Sequence, residues 1–121
     1  MSSGPYSRGH DAERTAERFL RRQGFGTLAR NLRVGHDELD LVMRDPDGKT
    51  VVLVEVKTST LGVLRARAGL SRAKCFRLAR ALRHLESRGI LAGNPVRLDG
   101  ILVDTSVTPA GIHHLVGSTL R

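Results

Sequence analysis

The sequence predicts one α/β domain with its elements in the order α-β-β-β-α-β-(β). Three observations predict it. Two stretches, 11–23 and 71–88, carry apolar residues at helical spacing, and short β-branched runs lie between and after them. An Asp47-Gly48 dipeptide joins two of those runs as a hairpin signal. The length, 121 residues, suits a single domain that buries roughly two-thirds of its unfolded surface. Aromatic residues make up only 3% of the chain, so Leu, Val, Ala and Ile must fill the core. Residues 1–10 read as a flexible polar lead-in and 11–121 as the domain.

In the first helix, 11–23, Asp11 can cap the N-terminus and Gly24 stops the other end. Ala12, Ala16, Phe19 and Leu20 form one apolar stripe. Glu13 sits at the edge of that stripe, where a carboxylate can lean over a sheet. Residues 25–34 read as a strand, with Leu28 and Leu32 inside it and Arg30, Asn31 and Arg33 as polar companions. Gly35-His36 links it to the hairpin.

The hairpin pairs 39–44 with 51–56. A type I′ turn on Asp47-Gly48 sets the register. Asp40 then lies opposite Glu55, and Glu38 opposite Lys57. Alternation puts all four on one face. Leu39, Leu41 and Met43 face Val52, Val54 and Val56 on the other, which must be core. Directly opposed Cβ atoms lie ~4.5–5.5 Å apart. Two carboxylates at that separation repel by about 3 kcal/mol at an effective dielectric near 20. A raised pKa, a nearby cation or a bound divalent metal must compensate. Oxygen-only ligands select hard ions such as Mg²⁺ or Mn²⁺. A solvated surface face with a Glu–Lys pair is the other reading. Against it, Val51–Val54 is continuously apolar, so this strand reads as central, and Val42 and Leu53 suggest that its second face is covered too.

Residues 59–70 form a loop bearing Arg65 and Arg67. Ser71 caps the second helix, 71–88, with Gly89 as its stop, and Cys75, Leu78, Leu82 and Leu85 as its buried stripe. Arg72 and Arg77 lie on this helix. Lys74 stands near its N-terminal end, where helix amides already favour anions, and is the best helix-borne phosphate contact. Residues 90–95 connect to the strand 96–104. A turn at 108–111 leads to a short last strand, 112–116, at an edge.

Charge is the informative bulk property. Lys and Arg total 20 against 12 acidic residues, a net +8. Seventeen of the twenty are Arg, which suits bidentate phosphate contact. Between Arg65 and Arg97 there are nine basic residues and one acid, Glu86. A nucleic acid is the natural partner. The lone Cys75 excludes an intramolecular disulfide and a cysteine metal cluster. No apolar run approaches membrane-spanning length. A soluble cytoplasmic protein with no membrane partner is expected.

The ordered set of acid-bearing helix, Asp on the second strand and Glu-x-Lys on the third resembles the PD-(D/E)XK nuclease superfamily. Over nearly its full length the chain is similar to the uncharacterised bacterial YraN-like family. The matching segments are the helix from Ala12 to Leu20, Arg30-Asn31-Leu32-Arg33, Asp37-Glu38-Leu39-Asp40-Leu41-Val42, Val54-Glu55-Val56-Lys57, Lys74-Cys75-Phe76-Arg77-Leu78 and Arg97-Leu98-Asp99-Gly100. The chain departs at Ala12, Asp37 and Ser59, where the family has glycine, glycine and a basic residue.

The resemblance implies a restriction-endonuclease-like core, a mixed central sheet flanked by helices. It implies Asp40 and Glu55 as ligands of Mg²⁺ or Mn²⁺, assisted by the backbone carbonyl of Val56. Glu13 would be an outer ligand or water-positioner. Lys57 would activate the attacking water or stabilise the charged transition state. Glu38 and Lys74 would be accessory. Arg30, Arg33, Arg65, Arg67, Arg72, Lys74 and Arg77 would grip the nucleic acid. The expected activity is metal-dependent phosphodiester hydrolysis, with DNA, including branched DNA, ahead of RNA, and a homodimer as one way to engage two strands. The alternative is a binding module or accessory protein of the same fold that lacks turnover.

Overall fold

The computed structural model describes the backbone of residues 5–60, 72–89 and 91–117, and the side chains of 11–60, 80–89 and 91–117. The elements are α1 (Pro5–Arg22), β1 (Gly26–Val34), β2 (Asp37–Arg44), β3 (Val51–Ser59), α2 (Arg72–Ser87), β4 (Val96–Asp104) and β5 (Gly111–Leu115). The order is the one expected. The strands form a single mixed sheet in chain order. β1, β2 and β3 run antiparallel, β4 lies parallel to β3, and β5 returns antiparallel to β4. A parallel pair needs a crossover, and α2 lies in that connection. β3 is central and β5 is an edge, as the sequence indicates.

α1 begins earlier than expected, inside the segment read as a flexible lead-in. Pro5 explains the start: a proline at the first helical position loses no intrahelical bond and already has the right φ. Asp11 therefore lies within the helix and does not cap it. The far end follows expectation. Gly24 takes φ +97°, its N–H reaches the Arg21 carbonyl, and Phe25 N–H reaches the Leu20 carbonyl. That is a Schellman stop. α2 ends in the same region as predicted, with Gly89 at φ +71° and its N–H on the Glu86 carbonyl.

Alternation along β3 builds two cores. Val52 and Val54 face α1, where Ala12, Ala16, Leu20, Phe25, Leu41 and Met43 pack with them. Val51 and Leu53 face α2, where Ala81, Leu85, Val42 and Leu91 pack with them. The sheet is thus covered on both faces, as Val42 and Leu53 suggest in sequence. Leu39 departs from expectation: it belongs to the α2 core with Val42, not to the α1 core with Leu41. Ala29 and Leu32 on β1 show the same break, both packing on the α2 core although they are three residues apart. Between them Asn31 adopts φ +47°, which breaks the alternation of β1, while the β1–β2 register itself shifts earlier, between Thr27 and Ala29.

The hairpin turn also differs in detail. Gly48 N–H bonds the Asp45 carbonyl, so Pro46-Asp47 are the central residues and Gly48 follows at φ +76°. Asp47 accepts hydrogen bonds from the N–H groups of Lys49 and Thr50. Its side chain thereby closes a longer loop than a two-residue I′ turn. The predicted register survives because Asp45 N–H still pairs with the Thr50 carbonyl.

A buried ionic cluster ties the turn to β4 and β5. Arg97 donates to both Asp99 carboxylate oxygens at 2.8 and 3.0 Å and reaches Asp45 at 2.9 Å. His114 Nε2 lies 2.7 Å from Asp99, and Gly117 N–H donates to it at 3.1 Å. Gly117 must be glycine here, since a Cβ would stand 1.8 Å from the Leu98 carbonyl oxygen. Burial alone would raise the Asp99 carboxyl, but Arg97, His114 and Gly117 hold it below the ordinary value. This cluster therefore stabilises the fold above the ordinary carboxylate pKa and loses that contribution as pH falls through the lower folded value. Arg97→Ala removes the cation from the buried Asp99 carboxylate, leaving it to His114 and Gly117, and is expected to cost about 3 kcal/mol in urea unfolding at pH 7. Arg80→Ala, which removes an exposed partner of Asp37, should cost less than about 1 kcal/mol.

Candidate functional site

The β2–β3 ladder runs from Arg44↔Val51 to Leu41↔Val54, one step short of Asp40 and Glu55. Beyond it the strands part company. β2 stays with β1 down to Val34↔Asp37, and β3 stays with β4 out to Ser59↔Asp104. The sheet forks, and the sequence-predicted acids stand in the fork. The expected cross-strand pairs Asp40/Glu55 and Glu38/Lys57 therefore do not form as ladder pairs. The reason is local: Asp40 Oδ2 accepts the Val56 N–H at 2.8 Å, so a side chain takes a position a β2 carbonyl would hold in a continued ladder.

Glu13 reaches the same place from α1. It is half-buried, hydrogen-bonds Asp40, and its Oε2 accepts from Asn31 Nδ2 at 2.6 Å. Asn31 Nδ2 also lies 3.4 Å from Glu38 Oε1. Burial pushes the Asp40 carboxyl up to about 7; the Val56 N–H works against this, while the charges of Glu55 and Glu13 add to it. The structure thus brings Glu13, Asp40 and Glu55 within electrostatic reach. Lys57, two residues beyond Glu55 on β3, is half-buried. Among the described residues no group of three or more His, Cys, Asp or Glu side chains is arranged as a metal cluster. The expected ligand set differs from that pattern, with two carboxylates and one main-chain oxygen.

The remaining expected residues divide. Arg30 Nε donates to both oxygens of Glu17, at 2.8 and 3.0 Å, which holds the Glu17 carboxyl below its ordinary value and anchors β1 to α1. Arg33 is exposed and is the register partner of Glu38. Arg72, Lys74 and Arg77 fall on the first half of α2, but their side chains, like the whole of Arg65 and Arg67, lie outside the described residues. Asp37, an acid where the resemblance has glycine, is paired with Arg80 of α2 at 3.3 Å. A cavity of about 460 Å³ opens beyond the end of β3, lined by Ala12, Thr15, Thr58, Ser59, Val103 and Thr105 among others. None of Asp40, Glu55 and Lys57 lines it; a smaller cavity of about 100 Å³ is lined by Glu13 and Asn31 together with Arg14, Glu17, Arg30 and Leu41. Asn31 was not expected as a site residue. Its signal in the sequence is an Asn in a strand otherwise rich in Leu and Arg, since Asn is the non-glycine residue most at home at positive φ.

The profile of "Uncharacterised protein family UPF0102" matches residues 12–103. The chain belongs to the UPF0102 family. That is the YraN-like group its motifs resemble. A UPF0102 protein of Nitrosomonas europaea is 39% identical over 98 residues, covering 80% of each chain. One from Thermotoga petrophila is 35% identical over 107 residues, 88% of this chain and 92% of its own. One from Cupriavidus taiwanensis is 47% identical over 79 residues, 64% and 60%. The UPF0102 match takes in Glu13, Asn31, Asp40, Glu55 and Lys57 and leaves out β5.

Between the ordinary carboxylate value of 3.8 and about 7 the folded chain binds more protons at Asp40 than the unfolded chain does. Its contribution to stability therefore declines as pH climbs through that window and stays low above it. Asp40→Asn removes the charge and can still accept the Val56 N–H. It is expected to raise Tm at pH 8 by roughly 3–6 °C, to change it little near pH 4, and to flatten the decline between. Thermal melts of both proteins across pH 4–9, without divalent metal, check this.

Proposed function

We propose that this UPF0102 protein is a metal-dependent nuclease of the restriction-endonuclease-like, PD-(D/E)XK type. The observation that carries the reading is Asp40 in the fork of the sheet, fixed by the Val56 N–H with Glu55 and Glu13 beside it. Carboxylates gathered at one place are suited to hold a hard divalent cation. Asp40 and Glu55 would hold Mg²⁺ or Mn²⁺ with help from the Val56 carbonyl. The ion, when bound, supplies Lewis acidity at the phosphoryl oxygen. The orientation of Asp40 is already set by the Val56 N–H, so little reorganisation is needed on binding.

Around that position the chain's own residues divide the work. Lys57 offsets negative charge that grows on the phosphate in the transition state. Glu13, tied to both Asn31 and Asp40, orients a water molecule or serves as an outer ligand. The net charge of +8 draws a polyanion to a fork that would repel it without a cation. This last point favours an enzyme over a pure binder, because clustered acids beside phosphate weaken binding that has no use for metal. DNA, including branched DNA, is the substrate class we place first.

A labelled panel of single strands, duplexes, flaps and four-way junctions, in DNA and RNA, tests the reading in Mg²⁺ and in Mn²⁺. Wild-type protein should cleave at least one member, EDTA should abolish cleavage, and Glu55→Ala should lower the rate at least about 100-fold while salt-sensitive binding persists. Equal, metal-independent binding by both proteins with no cleavage of any member would leave a nucleic-acid-binding module in its place.

A further inference from the structure

We propose that Asn31 is the positioning residue of this site, orienting Glu13 and Glu38 toward the fork; the inference rests on the nuclease reading above. Three observations converge on this residue. Its backbone stands at φ +47° within a strand, a conformation that costs energy for most side chains and that Asn tolerates. Its amide lies 2.6 Å from Glu13 on α1 and 3.4 Å from Glu38 on β2, so one nitrogen joins acids from two elements. It also stands between the pairs Arg30↔Leu41 and Leu32↔Leu39, which puts it level with Asp40.

The chemistry of the amide matters. Four carboxylates gather near the fork: Glu13, Glu38, Asp40 and Glu55. A Lys or Arg at position 31 would neutralise them and compete with a cation. An amide donates hydrogen bonds without adding charge, so it orients the acids and leaves their charge for the ligand. The neighbouring cation is held elsewhere: Arg30 is bound to Glu17, against α1. The same turn of β1 thus withholds a guanidinium and presents an amide. Hydrogen-bonded supports of this kind behind metal-holding carboxylates contribute strongly to affinity.

A purely structural role would need only the left-handed backbone, which glycine supplies at no steric cost. Asn31→Gly therefore separates the two roles. With Tm close to wild type, it is expected to weaken Mn²⁺ binding by calorimetry about 10–100-fold. It should lower kcat on the cleaved substrate to a similar degree, with KM little changed. Asn31→Asp keeps the shape and the tolerance of positive φ but can only accept hydrogen bonds when ionised, and it should lose kcat likewise. The inference is overturned if both variants bind Mn²⁺ and cleave as wild type does; the nuclease reading would then stand without it. A wild-type protein that neither binds Mn²⁺ nor cleaves overturns both together.

Discussion

One hydrogen bond organises this molecule: the Val56 N–H on the carboxylate of Asp40. It comes where the β2–β3 ladder ends, and beyond it the single sheet divides into two arms, β1–β2 and β3–β4–β5. A fork in a sheet leaves polar groups that need partners. Here a side chain meets one of those needs and in doing so becomes fixed beside Glu55. Binding geometry and strand divergence are therefore one feature and not two. The two apolar cores, one under α1 and one under α2, hold the arms in place on either side of it. The Arg97–Asp99–His114 cluster locks the hairpin turn to β4 and β5, on the arm that carries Glu55.

Most of this was legible in the sequence because it depends on short-range rules. The Asp40 and Glu55 placements follow from strand period and hairpin register. The register itself came through although the turn was assigned wrongly, since Asp45–Thr50 pairing gives the same alignment as a two-residue turn would. Two of the differences, at Leu39 and at Asp40, concern strand alternation and pairing. Leu39 was placed on the α1 face by strict alternation, and Asp40 was placed in a ladder pair with Glu55. Both lie where strict alternation stops applying: Leu39 is level with Leu32, next to the positive φ of Asn31, and Asp40 gives its carboxylate to the Val56 N–H. A positive φ at one strand residue is invisible to hydrophobic patterning. The helix start at Pro5 was missed for a different reason: the residues from Pro5 to His10 carry no apolar stripe, so the expected boundary was drawn at the first periodic residue.

Electrostatics and topology point in the same direction. The chain is strongly basic, yet its fork concentrates acids, and three of the described arginines are engaged in ion pairs elsewhere. Arg30 serves Glu17, Arg80 serves Asp37, and Arg97 serves Asp99 and Asp45. These three guanidinium groups are spent on structure, while Asn31 reaches Glu13 and Glu38 with an uncharged amide. The match to the UPF0102 family spans these same residues and ends at β4, so the shared part of the chain is the part that builds the fork.

The most direct test of the account is the location of Mn²⁺ by anomalous diffraction from crystals of the protein soaked in that ion near pH 8. The account predicts one strong peak in the fork, within coordination distance of Asp40, Glu55 and the Val56 carbonyl, with Glu13 no further than one water away. A well-occupied peak elsewhere, or an empty fork at Mn²⁺ concentrations that support binding in solution, would contradict it.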